Sequence, residues 1–455
     1  MEATHQAEGS LTLSERIEEL MGKAGGQVPG LDEARHQGPA QRISAVQIIT
    51  ALVVSIMQVQ GSIGQVARRL FNMDISDAAL SQRRARMGED IFQLVLRHTL
   101  RALADALLHP CCFLGQWRLV GIDGTHWSLI NTLANNQAVG KVKSRRGQAA
   151  FGKVMLCALV ELGTHAPLAA ALGFEDKNEQ GVSLTLLAQL PPRSLLILDR
   201  LYGSAPVLHA LQEHCPASSS HYLVRVRGKL AVEVLKPHRD GSAQVQVSLR
   251  DKERPRQVNA VMETREVRGQ VWSRSQKQWV EVRLWTSLSP QHASARELLA
   301  AYAKRWEQEL CYRELKMDLR GSELLRSQTP VSAAQELLCM LIGCSILAGH
   351  RLAAAGQSGD PAVQQAGAVR ISFGVCRQHM LGLWLTLEAG ATILSEEQKR
   401  ALTIAVHQQI AAQALRERRP RTCQRKVRQP ITKWPRMLEP TSWSSPLKSK
   451  ILRIT

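Results

Sequence analysis

The sequence lacks the features that mark secreted, membrane-spanning or thiol-metal proteins. None of its nine cysteines forms a C-x-x-C pair or a spacing typical of zinc sites, so we expect free thiols in a reducing compartment and no metal held by sulfur. The N-terminus MEATHQAEGS shows no basic-then-apolar start of the kind found in signal peptides. The most apolar stretches, IITALVVSIMQV and ELLCMLIGCSILAG, fall short of the roughly 20 apolar residues that a bilayer requires. We therefore expect buried helices, a cytoplasmic location and no membrane partner.

Negative charge is also scarce. The chain of 455 residues carries 39 acidic against 58 Lys and Arg side chains, a formal net charge of +19. A soluble protein this basic is typically one that binds a polyanion such as DNA or RNA. With 44% hydrophobic residues the chain can bury a core, and its length favours about three domains.

Changes in composition divide the chain into an α/β core interrupted by a β-rich segment, with helices on either side. The central stretches WRLVGIDGT, KVMLCALVEL and SLLILD have the pattern of strands. In the region around SAQVQVSL and KQWVEVRLW apolar and polar residues alternate, which also predicts strands. The predicted boundaries are 1–43 for a poorly ordered segment, 44–112 for a helical DNA-binding domain, 113–227 with 290–350 for the core, 228–289 for the β-rich insertion, 351–414 for C-terminal helices and 415–455 for a basic tail.

The helical region contains a pattern similar to a helix-turn-helix. SIGQVARRLFNMDISDAALSQRRARMG, from Ser62, predicts two helices around a short turn, and the second helix carries Arg83, Arg84 and Arg86. In a helix-turn-helix that second helix would enter the major groove. A small helical bundle with a solvated basic face explains the same pattern equally well.

Two aspartates follow apolar strands in the core. Asp123 lies in LVGIDGTHW and Asp199 in LLILDRLYGS. Carboxylates at strand ends of an α/β sheet lie at the edge where ligand sites form. Taken singly, either aspartate could instead cap a helix or shape a turn.

A third acid, Glu309, lies in the predicted helix YAKRWEQELCYRELK. At about 100° per residue, Glu309 is the only acid on its stripe, and that stripe should border buried structure while Glu307 faces water. The residues that share or adjoin the Glu309 stripe are Tyr302, Arg305, Arg313 and Lys316. A ladder of i,i+4 salt bridges from Arg305 to Glu309 and from Glu309 to Arg313 would explain this stripe without any catalysis.

Convergence of the three acids would create a site for hard divalent cations. Mg²⁺ and Mn²⁺ prefer oxygen ligands. Two such ions about 3.5–4 Å apart can activate a water or a 3′-hydroxyl and stabilise the departing oxygen in phosphodiester cleavage.

The chain resembles the DDE transposases of bacterial insertion sequences, specifically the insertion-sequence-four family. The resemblance rests on DGT at Asp123, DRLY at Asp199, and the signature Y-x2-R-x3-E-x6-K. The signature is met by Tyr302, Arg305, Glu309 and Lys316, with a tryptophan directly after the arginine. The similarity spans roughly residues 44 to 350.

This resemblance implies a ribonuclease H-like catalytic core with a β-rich insertion between the second aspartate and the glutamate. It implies that Asp123, Asp199 and Glu309 are catalytic and hold two Mg²⁺ or Mn²⁺ ions. The partner would be double-stranded DNA, as terminal inverted repeats and as target, handled by a homodimer in a synaptic complex near the nucleoid of a bacterium.

Several side chains are then expected to contact DNA. The resemblance implies that Tyr302, Arg305 and Lys316 contact phosphates, which fix register on DNA, and Arg313 lies beside them. Arg145 and Arg146, in the basic loop GKVKSRRGQ, could grip DNA near the site, although a solvated charge run is an equal alternative. Two other functions remain open: an inactive, transposase-derived DNA-binding protein and a ribonuclease H-like nuclease without strand transfer.

Overall fold

A computed structural model of the chain describes residues 12–23, 43–58, 61–104, 112–141, 143–144, 147–174, 178–227, 230–251, 253–254, 257–273 and 278–416. The strands are β1 Arg118–Ser128, β2 Lys143–Ser144, β3 Gly147–Gln148, β4 Lys153–Glu161, β5 Ala166–Gly173, β6 Ser194–Leu198, β7 His221–Arg225, β8 Glu233–Pro237, β9 Ala243–Arg250, β10 Val258–Ser273 and β11 Gln278–Thr286. The α-helices are α1 Leu13–Lys23, α2 Ala45–Met57, α3 Ile63–Phe71, α4 Asp77–Arg86, α5 Asp90–Thr99, α6 Leu133–Ala138, α7 Glu179–Leu184, α8 Ala205–His214, α9 Ala295–Tyr302, α10 Trp306–Arg313, α11 Pro330–Gly356, α12 Pro361–Ala366, α13 Phe373–Ala389 and α14 Glu396–Ala411.

Within the described residues, nine strands form one sheet in the order β5-β4-β1-β6-β7-β11-β10-β9-β8. Strand β1 is antiparallel to β4 on one side and parallel to β6 on the other. Strands β6 and β7 are also parallel. The mixed α/β class that the sequence predicted is thus present, and β1 lies where the antiparallel and parallel halves meet.

The central strands are covered on both faces. All five residues of β6, SLLIL, are buried, as expected for a parallel strand with helices on both sides. On one face Leu196 packs in a core with Leu208 and Leu211 of α8. On the other face Leu195 and Ile197 pack with Leu298 of α9. Neighbouring β6 side chains thus alternate between the two cores. This alternation determines to which face of the sheet the residues directly after the strand point.

The β-rich region expected at 228–289 continues the same sheet. Strands β8 to β11 lie within it, and β11 pairs with β7 through three residue pairs, Leu284 to Arg225 among them. Trp285 of β11 is fully buried, and its Nε1 donates a hydrogen bond to Glu266. The region is therefore attached to the core by backbone pairing and by a buried aromatic side chain.

Helices from both ends of the chain pack around α11. This helix of 27 residues is apolar and long enough to cross a membrane by length and composition, but 83% of its apolar window is buried inside the protein, consistent with the buried helix that the sequence predicted. One hydrophobic core contains residues of α1, α2, α5, α11 and α13. The prediction that residues 1–43 are poorly ordered is wrong for Leu13–Lys23, because Leu13, Ile17 and Leu20 lie on one helical face and are buried in that core.

The helix-turn-helix pattern forms α3 and α4, separated by a turn at Asn72 in the left-handed region with φ of 51°. Most of α4 is exposed, but Arg84 is buried. Its Nε donates to Gln335 at 2.7 Å and its Nη2 to Ser327 at 3.2 Å. Arg84 thus joins α4 to the N-terminal part of α11 and the loop before it, whereas Arg86 is exposed.

The expected arrangement of acids on the Glu309 helix is wrong. A tight 3-10 turn at Ala303–Arg305 separates α9 from α10, and a π-helical turn at Glu314–Leu319 follows α10. Because these turns depart from 3.6 residues per turn, a constant 100° step misplaces the side chains. The Glu309 side chain is 43% exposed, whereas that of Glu307 is 19% exposed.

A buried charge network fixes α10 and the π-helical turn against the sheet. His165, in the turn between β4 and β5, lies with Nδ1 2.8 Å from Glu314 Oε2 and Nε2 2.9 Å from Glu307 Oε2. Ionised carboxylates only accept hydrogen bonds, so both ring nitrogens donate and the ring is charged. Arg351 of α11 also contacts Glu314, at 3.1 Å. Burial alone would lower the pKa of His165, but the charge of Glu314 and the hydrogen bonds to both glutamates outweigh it and raise the pKa to about 9.

The network predicts that stability falls as the pH rises above neutrality. The pKa of His165 is about 9 in the folded chain and about 6.5 when unfolded, so its contribution is fully present below about pH 6.5 and lost by about pH 9. In urea unfolding experiments this residue should contribute a slope of up to about 1.4 kcal/mol per pH unit. His165→Gln should remove that slope. His209→Gln, which changes a 40% exposed histidine, should keep it, and an unchanged slope in His165→Gln would contradict the assignment.

Candidate active site

Asp123 and Asp199 lie side by side because of the register of β1 and β6. The last parallel pair of these strands joins Gly121 to Ile197, and each aspartate lies two residues beyond its member of that pair. Two residues along a strand return to the same face, so the two side chains point the same way from adjacent strands. Asp199 directly follows β6, as predicted. The prediction that Asp123 ends its strand is wrong, because β1 continues to Ser128 through pairing with β4.

A third carboxylate, Glu179, completes a group of acids with the two aspartates. It lies in the first turn of α7, after an Asn178 N-cap. The Gly124 N–H donates to Asp123 Oδ1 at 3.0 Å and to Glu179 Oε1 at 3.1 Å. Sequence reasoning did not select Glu179, since an acid in the first turn of a helix is common for electrostatic reasons alone.

The charge of these acids is concentrated in a partly buried position. Burial, then the neighbouring charges of Glu179 and Asp199, raise the pKa of Asp123 well above its ordinary range. The raised pKa of Asp123 partly reflects repulsion between the carboxylates, and a bound cation would offset that repulsion. The donors are carboxylate oxygens, the ligand type that Mg²⁺ and Mn²⁺ prefer, so the chemistry of these donors fits a divalent cation.

Arg305 links Glu309 to this group, because it interacts with both Glu309 and Asp199. Arg305 Nη2 lies 2.9 Å from Glu309 Oε1. Burial would lower the pKa of Arg305, but Tyr302, Glu309 and Asp199 together outweigh it and raise the pKa. The guanidinium thus supplies the positive charge between Glu309 and Asp199. Within the described ranges, no three His, Cys, Asp or Glu side chains are placed to share one metal ion, so neither Glu309 nor Glu179 shares a ligand position with both aspartates here.

Tyr302 belongs to the same side of the site. Burial raises the pKa of its hydroxyl, with a smaller contribution from Asp199, against the opposing influence of Arg305 and Arg225. Arg225, at the end of β7, also hydrogen-bonds Tyr302. Sequence reasoning missed Arg225, although a basic residue that ends a core strand beside Asp199 would have been a usable signal.

Lys316 lies on the opposite flank. Its Nζ lies 5.6 Å from the centre of the Trp127 ring and 3.5 Å from Glu323 Oε1. Burial, then Lys153 and, to a smaller extent, Lys316, lower the pKa of His126, so these three groups are neighbours at the far end of β1. Positive charge therefore flanks the acids on two sides.

The other predicted DNA contacts differ from one another. Arg313 is exposed and interacts with Asp318 rather than with Glu309, so the predicted ladder of salt bridges is reduced to the single pair Arg305–Glu309. Arg145 and Arg146 lie outside the described residues.

Two uncharged side chains of α10 set its position relative to β1. The Tyr312 hydroxyl donates to the carbonyl oxygen of Asp123 and accepts from the Ala158 N–H at 3.1 Å. Gln308 donates to the Ala158 carbonyl oxygen at 3.4 Å. The helix that carries Glu309 is thus bonded to the backbone of the strand that carries Asp123.

The family model described as a transposase DDE domain matches residues 118–345, half of the chain. The chain belongs to the DDE transposase family. Both aspartates, Glu179 and the Tyr302 to Lys316 signature lie inside the matched region, and the predicted family is confirmed. Dependence on divalent metal ions is general in DDE transposases.

Two further comparisons give proteins to which this member of the DDE transposase family is similar. It is 25% identical over 277 residues to the transposase InsG for insertion sequence element IS4 of Escherichia coli (strain K12), and this match covers 60% of each chain. The chain thus spans about 60% of the length of the curated relative. A cryo-EM structure of a piggyBac transposase synaptic complex with hairpin DNA aligns with a TM-score of 0.41 and 10% identity, covering 86% of this chain and 82% of that one.

Gly124 allows the close approach of Glu179, and this gives a test of the site geometry. A Cβ at position 124 would lie 2.5 Å from Glu179 Cγ and 2.7 Å from its Cδ. Gly124→Ala should therefore destabilise the fold by about 1–3 kcal/mol, measured by urea unfolding. Gly140→Ala is the matched control, because nothing lies within 4 Å of its added Cβ. Equal stability of the two variants would show that Glu179 does not hold this position.

Proposed function

We propose that this chain is a DNA transposase that binds terminal inverted repeats, cleaves DNA at the ends of its element and joins the freed 3′-hydroxyls to target DNA. The observation that carries the proposal is that Asp123 and Asp199 each lie two residues beyond the last pair, Gly121 to Ile197, of two adjacent parallel strands. The Arg305–Glu309 pair lies beside them, and all four residues are inside the region that belongs to the DDE family. The net charge of +19 supports DNA as the partner.

We further infer that the core is ribonuclease H-like. The order β5-β4-β1-β6-β7, with β1 antiparallel to β4 and parallel to β6, supports this fold. The strands β8 to β11 would then be the insertion that the resemblance implies between the second aspartate and the glutamate.

In this proposal Asp123, Asp199 and Glu309 hold two divalent ions, Mg²⁺ or Mn²⁺. The ions, when bound, supply activation of the attacking hydroxyl and stabilisation of the departing oxygen. The strands already hold Asp123 and Asp199 in place for this role. Glu309 must first break its salt bridge with Arg305 before it can bind an ion. Arg305 released from Glu309 can then bind a phosphate, which its planar guanidinium suits.

In this proposal the basic side chains on the two sides of the acids position the phosphates. Tyr302, Arg305 and Arg225 lie on one side of the acids, and Lys316, with Lys153, on the other. DNA passing between these flanks would have its backbone held on both sides of the bond to be cut. Arg313, Arg145 and Arg146 would contact DNA further from the reacting phosphate.

Cleavage assays with single carboxamide variants test this function. Purified full-length chain is incubated with duplex DNA carrying the element's own terminal repeat, in Mg²⁺, Mn²⁺ or EDTA. Wild type should cut at the end only with metal, and Asp123→Asn, Asp199→Asn and Glu309→Gln should each lower cleavage by at least about a hundredfold while gel shifts show unchanged binding of the end DNA. Glu397→Gln, which changes an exposed acid on α14 away from the site, should cut as wild type does.

Other results would assign the chain to one of the alternatives. Binding of the terminal repeat without cleavage in any metal would indicate an inactive, transposase-derived DNA-binding protein. Cleavage of random and end sequences at equal rates, without joining, would indicate a ribonuclease H-like nuclease.

The working assembly is proposed to be a homodimer that holds two DNA ends, located at the nucleoid in the bacterial cytoplasm. Analytical ultracentrifugation of the chain with end DNA would show two chains and two ends in one particle. A particle of one chain and one end at all concentrations would contradict the dimer.

A further inference from the structure

We propose that Glu179 is a fourth carboxylate of the catalytic centre, and that it helps Asp123 to hold a divalent cation. This inference rests on the proposed metal-dependent function and adds a residue to it. Glu179 lies on α7, outside the predicted Asp123, Asp199 and Glu309 triad and outside the Tyr302 to Lys316 signature.

The first argument is that both aspartate motifs contribute a group that holds Glu179. Its Oε1 accepts from the Gly124 N–H at 3.1 Å and from the Tyr202 hydroxyl at 3.2 Å. Gly124 belongs to the DGT sequence and Tyr202 to the DRLY sequence. Ser183 of α7 lies 2.8 Å from the Tyr202 hydroxyl, which fixes that hydroxyl in turn. Each motif therefore supplies an aspartate of the site and also a hydrogen-bond donor that positions Glu179.

The second argument is the close approach of backbone and side chain at position 124. A Cβ there would lie 2.5 Å from Glu179 Cγ, 2.7 Å from its Cδ and 3.0 Å from Met155 Sδ. No side chain larger than hydrogen fits this space while Glu179 keeps its position. Glycine at 124 is thus a condition for placing the Glu179 carboxylate against Asp123.

The third argument concerns charge. Asp123 interacts electrostatically with both Glu179 and Asp199, and like charges in a partly buried position repel. The hydrogen bonds of Glu179 need only an acceptor oxygen, which a glutamine supplies equally well. A glutamine would hold the same contacts without the repulsion, so a role limited to structure does not account for the carboxylate, whereas a role in binding a cation does.

Binding of Mn²⁺ by the free protein tests this inference without reference to DNA cleavage. Electron paramagnetic resonance titration of full-length chain with Mn²⁺ measures the dissociation constant for wild type, Asp123→Asn, Glu179→Gln and Glu397→Gln. Glu397, like Glu179, is an acid in the first turn of a helix, but it lies on α14 and is exposed. Circular dichroism and thermal unfolding confirm that each variant is folded.

We expect Glu179→Gln to have a thermal midpoint no lower than that of wild type, because the repulsion is relieved, and to bind end DNA in EDTA as wild type does. Its Mn²⁺ binding should be weaker by about tenfold or more. Glu397→Gln should bind as wild type does. If Glu179→Gln does not fold, Glu179→Asp replaces it, since the shorter side chain keeps the charge but withdraws it from Asp123 and should also weaken binding. Wild-type affinity in the folded variant would overturn the inference.

The outcomes separate this inference from the proposed function. Loss of Mn²⁺ binding in Asp123→Asn but not in Glu179→Gln would leave the metal-dependent function in place and remove Glu179 from it. Equal binding by wild type and Asp123→Asn would contradict both.

Discussion

The parallel pairing of β1 with β6 is the constraint on which the site depends. Four backbone pairs, the last from Gly121 to Ile197, fix the separation and the orientation of the two aspartates that follow them. Backbone pairing, and not a side-chain contact, brings Asp123 and Asp199 together. The whole sheet therefore resists the repulsion between the two carboxylates. The protein can therefore keep a concentration of negative charge that an isolated loop would relieve by moving apart.

The sequence predicted those parts of the site that depend on local pattern. Apolar runs ending in Asp123 and Asp199 identify strands and their loops, and the signature residues identify the Glu309 helix. The exposure of Glu309 was wrongly predicted, because the 3-10 turn before α10 and the π-helical turn after it shift the helical phase. Glu179 was missed because its significance lies in a contact with Gly124, 55 residues away in the chain. Such contacts follow from the sheet register and cannot be seen in any short window of sequence.

Charge is used in two different ways on the two sides of α10. Towards the sheet, Glu307 and Glu314 are matched by His165 and Arg351 in buried pairs, where loss of one partner would leave an uncompensated charge. Towards solvent, the partly exposed Glu309 is matched by the more buried Arg305 in a single i,i+4 pair, without the second buried partner that Glu314 has. The same short helix thus combines a fixed attachment with a side chain free to change partner.

Helix α11 joins the described helical segments that precede and follow the core. Segments from before the first core strand and from after residue 360 meet on its surface and share one hydrophobic core with it. A fragment limited to the family-matched region would keep α11 only in part and leave an apolar face open to water. A gene fusion that exchanged only one of these flanking segments would therefore have to preserve the surface that packs on α11.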